Sequence, residues 1–481
     1  MSLGMRPITS VLAVIVGSVS LFALVHCESS SSPSTTTTPP SPPFGDDAAT
    51  STNDAAPANE CAAAVGPGTK HGSDAVTADT VWKASDSPHI VTSGFTIEAA
   101  ATLTIEPCAK VMFDGGSGGY GITVRGKLVA EGTPSKRITF DAVDPAKPWS
   151  GLTTDPSTAG MISLASATLS NGGASDNPNI LALLDMRSAA AGPPTERLRA
   201  KDVTLTGSQQ YGVVLRAGAT FTADSSNLVV SGSMLFPVRA DARLTTNIPS
   251  GTYTGNTNDE ILLDLGSDVS NDTPLHDRGV PYRLGGLQGV NAGKVMAVGI
   301  SGPTAVVATL TVEAGVTIRA SATSSIELKK DSSQNAVGRL VVQGTAAKPV
   351  IFTSASATPA AGDWQGIVFD APDAIDSIDH ARVEYAGGPS QASSFHCDPL
   401  SVTGGFSKNE DAAIAIYGKP ASAFVTNTSI VSSAGDGIGR SWSGDLVDFL
   451  ATNTFDKIAA CKQSYPRATN GSCPMGAVPC P

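Results

Sequence analysis

The chain has few aromatic and few charged residues. Aromatic side chains account for 5% and charged side chains for 15% of its 481 residues, whereas charged residues usually make up about 25% of a soluble domain. Few aromatic rings suit a thin core of stacked Val, Ile, Leu and Ala, because a narrow coil has little room for rings. Helix-like spacing of apolar residues is also hard to find, which favours a β protein.

Basic residues are in deficit as well. The chain contains 31 Lys and Arg residues against 43 Asp and Glu residues, which gives a formal net charge of -12. Because nucleic-acid-binding proteins carry a basic surface, we expect no nucleic-acid partner. The acidic balance fits a cationic partner or simple solubility.

The most informative feature is an internal duplication. Three phrases recur in the same order: ATLTIEPC (101–108) as ATLTVEAG (308–315), GKLVAEGTPSKRITF (126–140) as GRLVVQGTAAKPVIF (338–352), and WSGL (149–152) as WQGI (364–367). Repeated short β-type phrases are typical of solenoids, in which each unit covers the apolar face of its neighbour. The chain also exceeds the length of one usual globular core, which a solenoid growing in one direction explains.

Alternating apolar residues predict short strands within these phrases. Thr102–Glu106 and Thr309–Glu313 place apolar side chains at every second position, the pattern of a strand with one buried face. Glycines and prolines, 49 and 32 in number, separate such runs as turn residues do.

Together these phrases resemble the right-handed parallel β-helix proteins of the pectate-lyase-like superfamily. QGTAAKPVIFTS (343–354), followed by DWQG (363–366), is the most specific part of the resemblance. We therefore predict an all-β fold, a right-handed parallel β-helix solenoid built from a tandem duplication, with a disordered N-terminal tether. Coils of about 20 to 25 residues would give roughly 17 to 20 turns. Two tandem β-sandwiches, one per copy, are the alternative.

The first residues have the features of an export signal. Val11–Val25 is apolar but too short for a permanent membrane span. It leads to Cys27 and so resembles a bacterial lipoprotein signal, in which the cysteine after the cleavage point receives the lipid, although His26 stands where that family has a small residue. The resemblance implies an outer-membrane or cell-surface lipoprotein, anchored in the membrane at Cys27. An ordinary secretory signal, giving a secreted or periplasmic protein, is the alternative.

A polar stretch rich in Ser, Thr and Pro follows Cys27 and cannot bury enough apolar surface to fold, so it predicts a tether. The predicted organisation is a signal peptide (1–26), a lipidated Cys27 with its tether (27–60), a first β-helix copy (61–270), a second copy (271–460) and a cysteine-containing C-terminal cap (461–481).

Six cysteines remain beside Cys27, and an even number in an exported chain predicts disulfides: Cys61, Cys108, Cys397, Cys461, Cys473 and Cys480. The spacing of these six cysteines leaves their pairing open. Cys108 stands where the second copy has Gly315, and we expect it to pair with Cys61, while the other four would close the far end. The cysteine spacings and the lack of a nearby histidine argue against zinc. We predict no metal and no cofactor.

Clustered carboxylates are weak candidates for catalysis. The resemblance implies that a lyase would use them to hold calcium near a basic residue, and that a hydrolase would use them as acid and base. The best cluster is Asp370, Asp373, Asp376 and Asp379. A spacing of three alternates the faces of a strand, so a solvated loop is favoured over calcium. Asn256–Glu260 is interpreted as a corner turn, and the only Asp-Asp pair, Asp46-Asp47, lies in the tether.

The remaining candidates are isolated side chains. The histidines of the predicted body are scattered singly: His71, His89, His276, His380 and His396. His396 beside Cys397 suggests a thiol nucleophile, but a disulfide is favoured in this compartment. The glycine-rich run 115–121 lacks the helix and lysine of a phosphate loop. Trp149 and Trp364 occupy equivalent repeat positions, which favours a structural role, with carbohydrate stacking as the weaker hypothesis.

We therefore predict an exported surface or envelope lipoprotein whose β-helix is a binding, adhesion or scaffolding module. Its partners would be the membrane, through Cys27, and a polysaccharide or envelope protein. No catalytic residue is assigned, and we predict a binding protein rather than an enzyme. The alternative is a polysaccharide lyase or glycoside hydrolase that acts on a cell-surface or extracellular polysaccharide.

Overall fold

The computed structural model describes residues 60–63, 66–114, 120–174, 180–189, 192–265, 268–286, 295–389, 397–398, 405–406, 412–473 and 479–481. The chain divides into two compact units, 1–56 and 57–481, and every described residue belongs to the second. The predicted signal peptide, Cys27 and the tether up to residue 59 lie outside the described residues, as does His396.

The first half of the described unit is built from short strands: β1 (Thr69–His71), β2 (Thr80–Trp82), β3 (His89–Val91), β4 (Phe95–Ile97), β5 (Thr102–Ile105), β6 (Lys110–Phe113), β7 (Gly121–Val124), β8 (Lys127–Glu131), β9 (Ile138–Ala142), β10 (Gly151–Thr154), β11 (Met161–Ser170), β12 (Ala182–Arg187), β13 (Thr195–Thr206), β14 (Tyr211–Arg216), β15 (Ala219–Phe221), β16 (Ser226–Ser231), β17 (Val238–Asp241), β18 (Gly251–Thr252) and β19 (Ile261–Asp264).

The second half continues in the same way: β20 (Thr273–Leu275), β21 (Tyr282–Leu284), β22 (Val295–Val298), β23 (Ala308–Glu313), β24 (Thr317–Ala320), β25 (Ser325–Leu328), β26 (Gly338–Gln343), β27 (Val350–Ser354), β28 (Gly366–Phe369), β29 (Ser377–Asp379), β30 (Ala381–Glu384), β31 (Cys397–Asp398), β32 (Gly405–Phe406), β33 (Ala412–Ile416), β34 (Val425–Thr426), β35 (Ser429–Val431), β36 (Asp436–Arg440) and β37 (Thr454–Asp456). Two single-turn 3₁₀ helices, Ala84–Asp86 and Ala242–Leu244, are the helices of the described residues. None is long enough to cross a membrane.

Parallel pairing between strands of successive coils defines the fold. One sheet of thirteen strands runs from β4 to β37, a twelve-stranded sheet covers β1 to β18, and two five-stranded sheets cover β20 to β36. Among the named strands of the described chain, only β31 and β32 pair antiparallel. The protein is thus a parallel β-helix. Tandem β-sandwiches, the alternative from the sequence, are excluded because they would require antiparallel sheets.

Coils are longer than the sequence led us to expect. The first strand of the thirteen-stranded sheet begins at Phe95 and the last at Thr454, so twelve steps cover 359 residues, about 30 per coil. The predicted 20 to 25 residues per coil, and the 17 to 20 turns that follow from it, are wrong. Loops such as the one between β27 and β28 lengthen the coil without adding a strand.

Inward-facing residues stack on their equivalents one coil away, as the alternation predicted. Leu103 lies beside Leu128, Leu128 beside Ile162, and Ile162 beside Leu198. All four side chains are fully buried. Burying such an aliphatic side chain contributes about 1.5 to 3 kcal/mol, so these rows supply much of the stability of the body.

Sequence-equivalent strands of the two copies lie in different sheets. The phrase ITF (138–140) lies in β9 of the twelve-stranded sheet, whereas its counterpart VIF (350–352) lies in β27 of the thirteen-stranded sheet. At the junction β19 pairs with β21, which places Leu262 beside Arg283. The solenoid therefore continues from copy to copy, but a strand of the second copy stacks on a strand that is not its sequence equivalent.

Disulfides hold both ends of the described body. Cys61 is bonded to Cys108, the pair expected from the sequence. At the other end Cys397 is bonded to Cys473, and Cys461 to Cys480. The segment after Cys461 pairs with the last coil, since Gly437 donates its backbone N–H to Cys461 O at 2.8 Å.

A row of left-handed residues forms one corner of the first copy. Ser166, Asp202 and Asn227 have φ values of 40°, 55° and 52° and lie one above another in successive coils. The Asp202 carboxylate accepts hydrogen bonds from Arg137 Nη1 at 2.7 Å, Ser166 Oγ at 3.0 Å and Asn227 Nδ2 at 3.0 Å. Asp202 therefore ties together the neighbouring coils on both sides.

Two substitutions of Asp202 should separate the contribution of its side-chain hydrogen bonds from the strain of its positive φ. Asp202→Ala removes three hydrogen bonds and replaces Asp, which tolerates a positive φ comparatively well, by Ala, which does not, so we expect a loss of about 2 to 3 kcal/mol in unfolding free energy. Asp202→Gly removes the same contacts but tolerates the conformation, and should lose less. Urea unfolding of both variants measures the difference; an Ala variant as stable as the Gly variant would contradict this account.

Candidate functional site

Charged side chains line the outer face of the thirteen-stranded sheet. The alternate residues of the same strands, such as Leu184 and Met186, belong to the core on the opposite face. We call this set the arginine band. It consists of Asp185 and Arg187 on β12, Arg216 on β14, Arg239 and Asp241 on β17, Glu260 just before β19, Asp264 on β19, Arg283 on β21 and Arg319 on β24.

Asp185 is the most deeply buried acid of the band, with no exposed surface. Arg216 Nη2 lies 3.0 Å from one carboxylate oxygen and 2.8 Å from the other, and Arg187 Nε donates at 3.2 Å. The backbone N–H of Leu181 donates to the same carboxylate at 2.8 Å. Burial lowers the pKa of Arg216, and the Asp185 charge opposes this shift. A buried carboxylate needs such partners, and here they come from its own coil and the next.

The next two coils repeat the arrangement. Arg239 donates to Asp264 Oδ2 from Nε at 3.1 Å and from Nη2 at 2.5 Å. Its guanidinium carbon lies 5.6 Å from the centre of the Tyr211 ring, one coil earlier, close enough for a cation–π interaction. Arg239 thus contacts the coils on both sides of its own.

Glu260 joins the two copies. Its carboxylate accepts one hydrogen bond from Arg283 Nε at 2.6 Å and another from Arg319 Nη1 at 2.5 Å. Both arginines belong to the second copy, and Arg283 Nη1 also donates to Ala355 O at 3.3 Å. The sequence interpretation of Asn256–Glu260 as a corner turn holds for Asn256, which donates to Val230 O and Tyr253 O. Glu260 differs, since it is 4% exposed and belongs to the band.

Asp241 differs from the other acids of the band. Burial, and then the carboxylate of Asp264 in the next coil, raises the pKa of Asp241 to about 6, against the lowering effect of Arg243 and Arg239. Asp241 and Asp264 are direct register partners. A carboxylic acid with a raised pKa beside an ionised carboxylate is one of the arrangements that general acid catalysis can use.

Sequence reasoning missed the arginine band. Its signal was present as charged residues that interrupt otherwise apolar strands, as in LLDMR (183–187), VVLR (213–216), VRAD (238–241), YRL (282–284) and TIRA (317–320). Only the register between coils shows that these positions meet, and the lengths of the intervening loops hide that register.

The four aspartates singled out from the sequence do not converge. Asp370 lies 4.0 Å from Lys329 Nζ, and Asp373 accepts from Arg339 Nε at 3.0 Å. Asp379 accepts from Thr426 Oγ1 at 2.8 Å. No group of three or more His, Cys, Asp or Glu side chains among the described residues is arranged to hold a metal ion.

Asp376 corrects the expectation of a solvated loop. Its side chain is 5% exposed and accepts the backbone N–H groups of Leu340 at 2.8 Å and Asp373 at 2.6 Å. Burial raises the pKa of Asp376 to about 7, although these two N–H groups favour the ionised form. The residue is a buried structural acceptor between two coils.

Two of the histidines expected to be isolated are in contact. His71 Nε2 lies 3.0 Å from His89 Nδ1, and His89 Nε2 lies 2.9 Å from Lys83 O. Because a carbonyl can only accept, the neutral His89 ring donates from Nε2 and accepts from His71. Burial, and then His89, lowers the pKa of His71 to about 4. Trp82 stacks on both rings at 4.0 and 4.9 Å, so the three rings close the core at the first coil.

The other two described histidines each contact an acid. His276 lies 2.8 Å from Glu313, and His380 lies 2.9 Å from Asp379. The glycine-rich run is described only at Tyr120 and Gly121, since 115–119 lie outside the described residues.

The tryptophans are structural, and carbohydrate stacking on them is excluded. Trp149 and Trp364 are 0% and 1% exposed, so neither ring face can receive a sugar. Trp149 Nε1 donates to Ser170 O at 2.7 Å, and Trp364 Nε1 donates to Glu384 O at 2.8 Å. The equivalent positions therefore make the same contact in both copies, with a carbonyl one coil further on.

Comparison with known proteins agrees with this geometry. Residues 296–438 match the family described as pectate-lyase like beta helix domain, and the described strands of that segment, apart from β31 and β32, pair in parallel as in such a domain. Residues 296–438 are therefore similar to a pectate-lyase-like β-helix domain. No curated protein and no solved structure matches the chain.

Asp376 predicts a pH dependence of stability. Because its folded-state pKa is raised above the ordinary value of 3.8 to about 7, its contribution to stability is complete below pH 3.8 and declines as the pH rises to about 7. Relative to Asp376→Asn, the natural protein should lose roughly 2 to 3 kcal/mol between pH 5 and 8, at about 1.4 kcal/mol per pKa unit.

The control for this measurement is Asp331→Asn. Asp331 is half-buried, and hydrogen bonds from Asn335 lower its pKa, so its titration is complete below pH 5. Urea unfolding at pH 5, 6, 7 and 8 gives the comparison. Parallel pH profiles for the natural protein and Asp376→Asn would contradict the assignment.

Proposed function

We propose that the protein is an envelope lipoprotein, anchored through Cys27, whose β-helix is a non-catalytic binding module for a polysaccharide. The display part of the proposal rests on the apolar run before Cys27 and the Ser, Thr and Pro stretch after it. Such a stretch holds a folded body away from a membrane without folding itself.

The non-catalytic part of the proposal rests on the hydrogen bonds that the buried carboxylates accept. Asp185 accepts from two arginines and one backbone N–H, Glu260 from two arginines, and Asp376 from two backbone N–H groups. Each of these acids contacts at least one neighbouring coil. Their hydrogen-bonding capacity therefore serves to hold coils together, a role that competes with holding a metal ion or activating a water molecule.

A polysaccharide lyase or glycoside hydrolase is the second candidate, favoured by one observation. Asp241 and Asp264 lie in adjacent coils, and Asp241 has a raised pKa. A protonated and an ionised carboxylate close together could act as acid and base. Arg239, which holds Asp264, would then stabilise the ionised member of the pair.

Binding and turnover can be measured on one preparation of the full-length protein from membranes. We expect retention on at least one immobilised polysaccharide, with neither new reducing ends nor unsaturated products released. The Cys27→Ala variant should no longer be found in the membrane fraction. Its affinity for the polysaccharide should equal that of the natural protein, because the anchor is separate from the binding surface.

Asp241→Asn decides between the two candidates. A catalytic acid contributes about 10² to 10⁴ in rate, so turnover that falls by this factor in Asp241→Asn with unchanged binding would establish an enzyme and overturn the proposal. Asp331→Asn, at a half-buried aspartate that is not part of the band, is the control. Absence of retention on every polysaccharide tested would also contradict the proposed function.

A further inference from the structure

A cleft opens between two loops that belong to neighbouring coils of the second copy. Its lining residues are not part of the arginine band. One wall is the loop that joins β28 to β29, and the other is the loop that joins β33 to β34. The cleft has a volume of about 470 Å³, within the range of about 300 to 1,000 Å³ that small-molecule sites occupy.

Both walls are fixed by contacts within the protein. Pro372 lies in the first loop and Pro420 in the second, and each proline restricts the backbone of its loop. Asp376 accepts the backbone N–H groups of Leu340 and Asp373 and so fixes the first loop. Lys419 Nζ lies 2.7 Å from Asp445 and ties the second loop to the following coil. The cleft is therefore preformed, which reduces the entropy lost on binding.

An aromatic ring forms part of the lining. Phe424 is partly buried and packs edge-on against Phe369 at 4.9 Å and Phe449 at 6.0 Å between ring centres. The same ring lines the cleft. Aromatic faces carry partial negative charge, and the C–H groups on one side of a sugar ring are weakly positive, so a sugar ring can pack against Phe424.

Unpaired hydroxyl groups complete the lining. Ser377 and Ser422 line the cleft, and among the described residues their hydroxyls make no hydrogen bond within the protein. Each hydroxyl can donate one hydrogen bond and accept two. They match the hydroxyl groups of a carbohydrate, which also both donate and accept.

The charges around the cleft are already neutralised. Asp373 is paired with Arg339 and Lys419 with Asp445, while Asp376 is 5% exposed and satisfied by backbone N–H groups. A charged ligand would find no unpaired opposite charge in these side chains. The lining therefore selects an uncharged ligand.

We propose that this cleft binds an uncharged sugar unit of a polysaccharide, with the sugar ring against Phe424 and its hydroxyl groups on Ser377 and Ser422. The proposal rests on the polysaccharide-binding function proposed above and specifies both the place and the kind of sugar. It separates this site from the arginine band, whose charged side chains are paired with one another between coils.

The test is calorimetric titration of the full-length protein with two neutral probes, cellohexaose and chitohexaose, and one acidic probe, hexagalacturonate. Ser422→Trp fills the cleft from an exposed position and should leave the fold intact. We expect one of the neutral probes to bind, and its affinity to fall at least tenfold in Ser422→Trp and in Phe424→Ala. Ser250→Trp, at another exposed serine, should bind as the natural protein does.

Failure of this inference can be distinguished from failure of the proposed function. Binding of a neutral probe with equal affinity by the natural protein and Ser422→Trp would overturn the cleft but keep the binding module. Binding of hexagalacturonate alone would do the same. Binding of none of the three probes would also overturn the cleft, and release of shortened products would overturn the non-catalytic function itself.

Discussion

The rest of the structure depends on parallel hydrogen bonding between strands of successive coils, kept in register through both copies. This pairing satisfies the backbone and repeats each residue position about 4.8 Å further along the body. Aliphatic side chains therefore stack on aliphatic side chains inside, as Leu103, Leu128 and Ile162 do. A polar residue outside is likewise brought beside the residues at the same position of the coils above and below.

The arginine band follows from this constraint. Residues separated by one coil in sequence become direct neighbours, so that Asp185 receives Arg216, Asp264 receives Arg239, and Glu260 receives Arg283. These ion pairs are largely buried, and removing one partner of such a pair leaves an uncompensated charge. The same stacking produces the left-handed corner at Asp202 and the cleft between the loops that contain Pro372 and Pro420. The ion pairs of the band and the cleft of the proposed sugar site are thus both built from contacts between successive coils.

The sequence predicted what is local and what is repeated. Alternation in the 101–108 and 308–315 phrases indicated strands, and the duplication indicated a solenoid. Coil length was wrong, because apolar spacing does not report the length of polar loops. The pairing of β19 with β21 could not be predicted either, since sequence-equivalent strands of the two copies lie in different sheets. Burial of Trp149 and Trp364, the contact of His71 with His89, and the arginine band all depend on which residues of successive coils become neighbours, which the sequence does not show.

The most direct test of a continuous solenoid is a cross-link at the junction of the copies. Leu262 and Arg283 are register partners on β19 and β21, and neighbouring strands lie about 4.8 Å apart, within reach of a disulfide. Mass spectrometry of the oxidised Leu262→Cys/Arg283→Cys variant should find the linked peptides in nearly every molecule. Leu262→Cys/Arg319→Cys, two coils apart, should not form the link. If the first pair stayed reduced while the protein was folded, the two copies would not share one sheet, and the account would be contradicted.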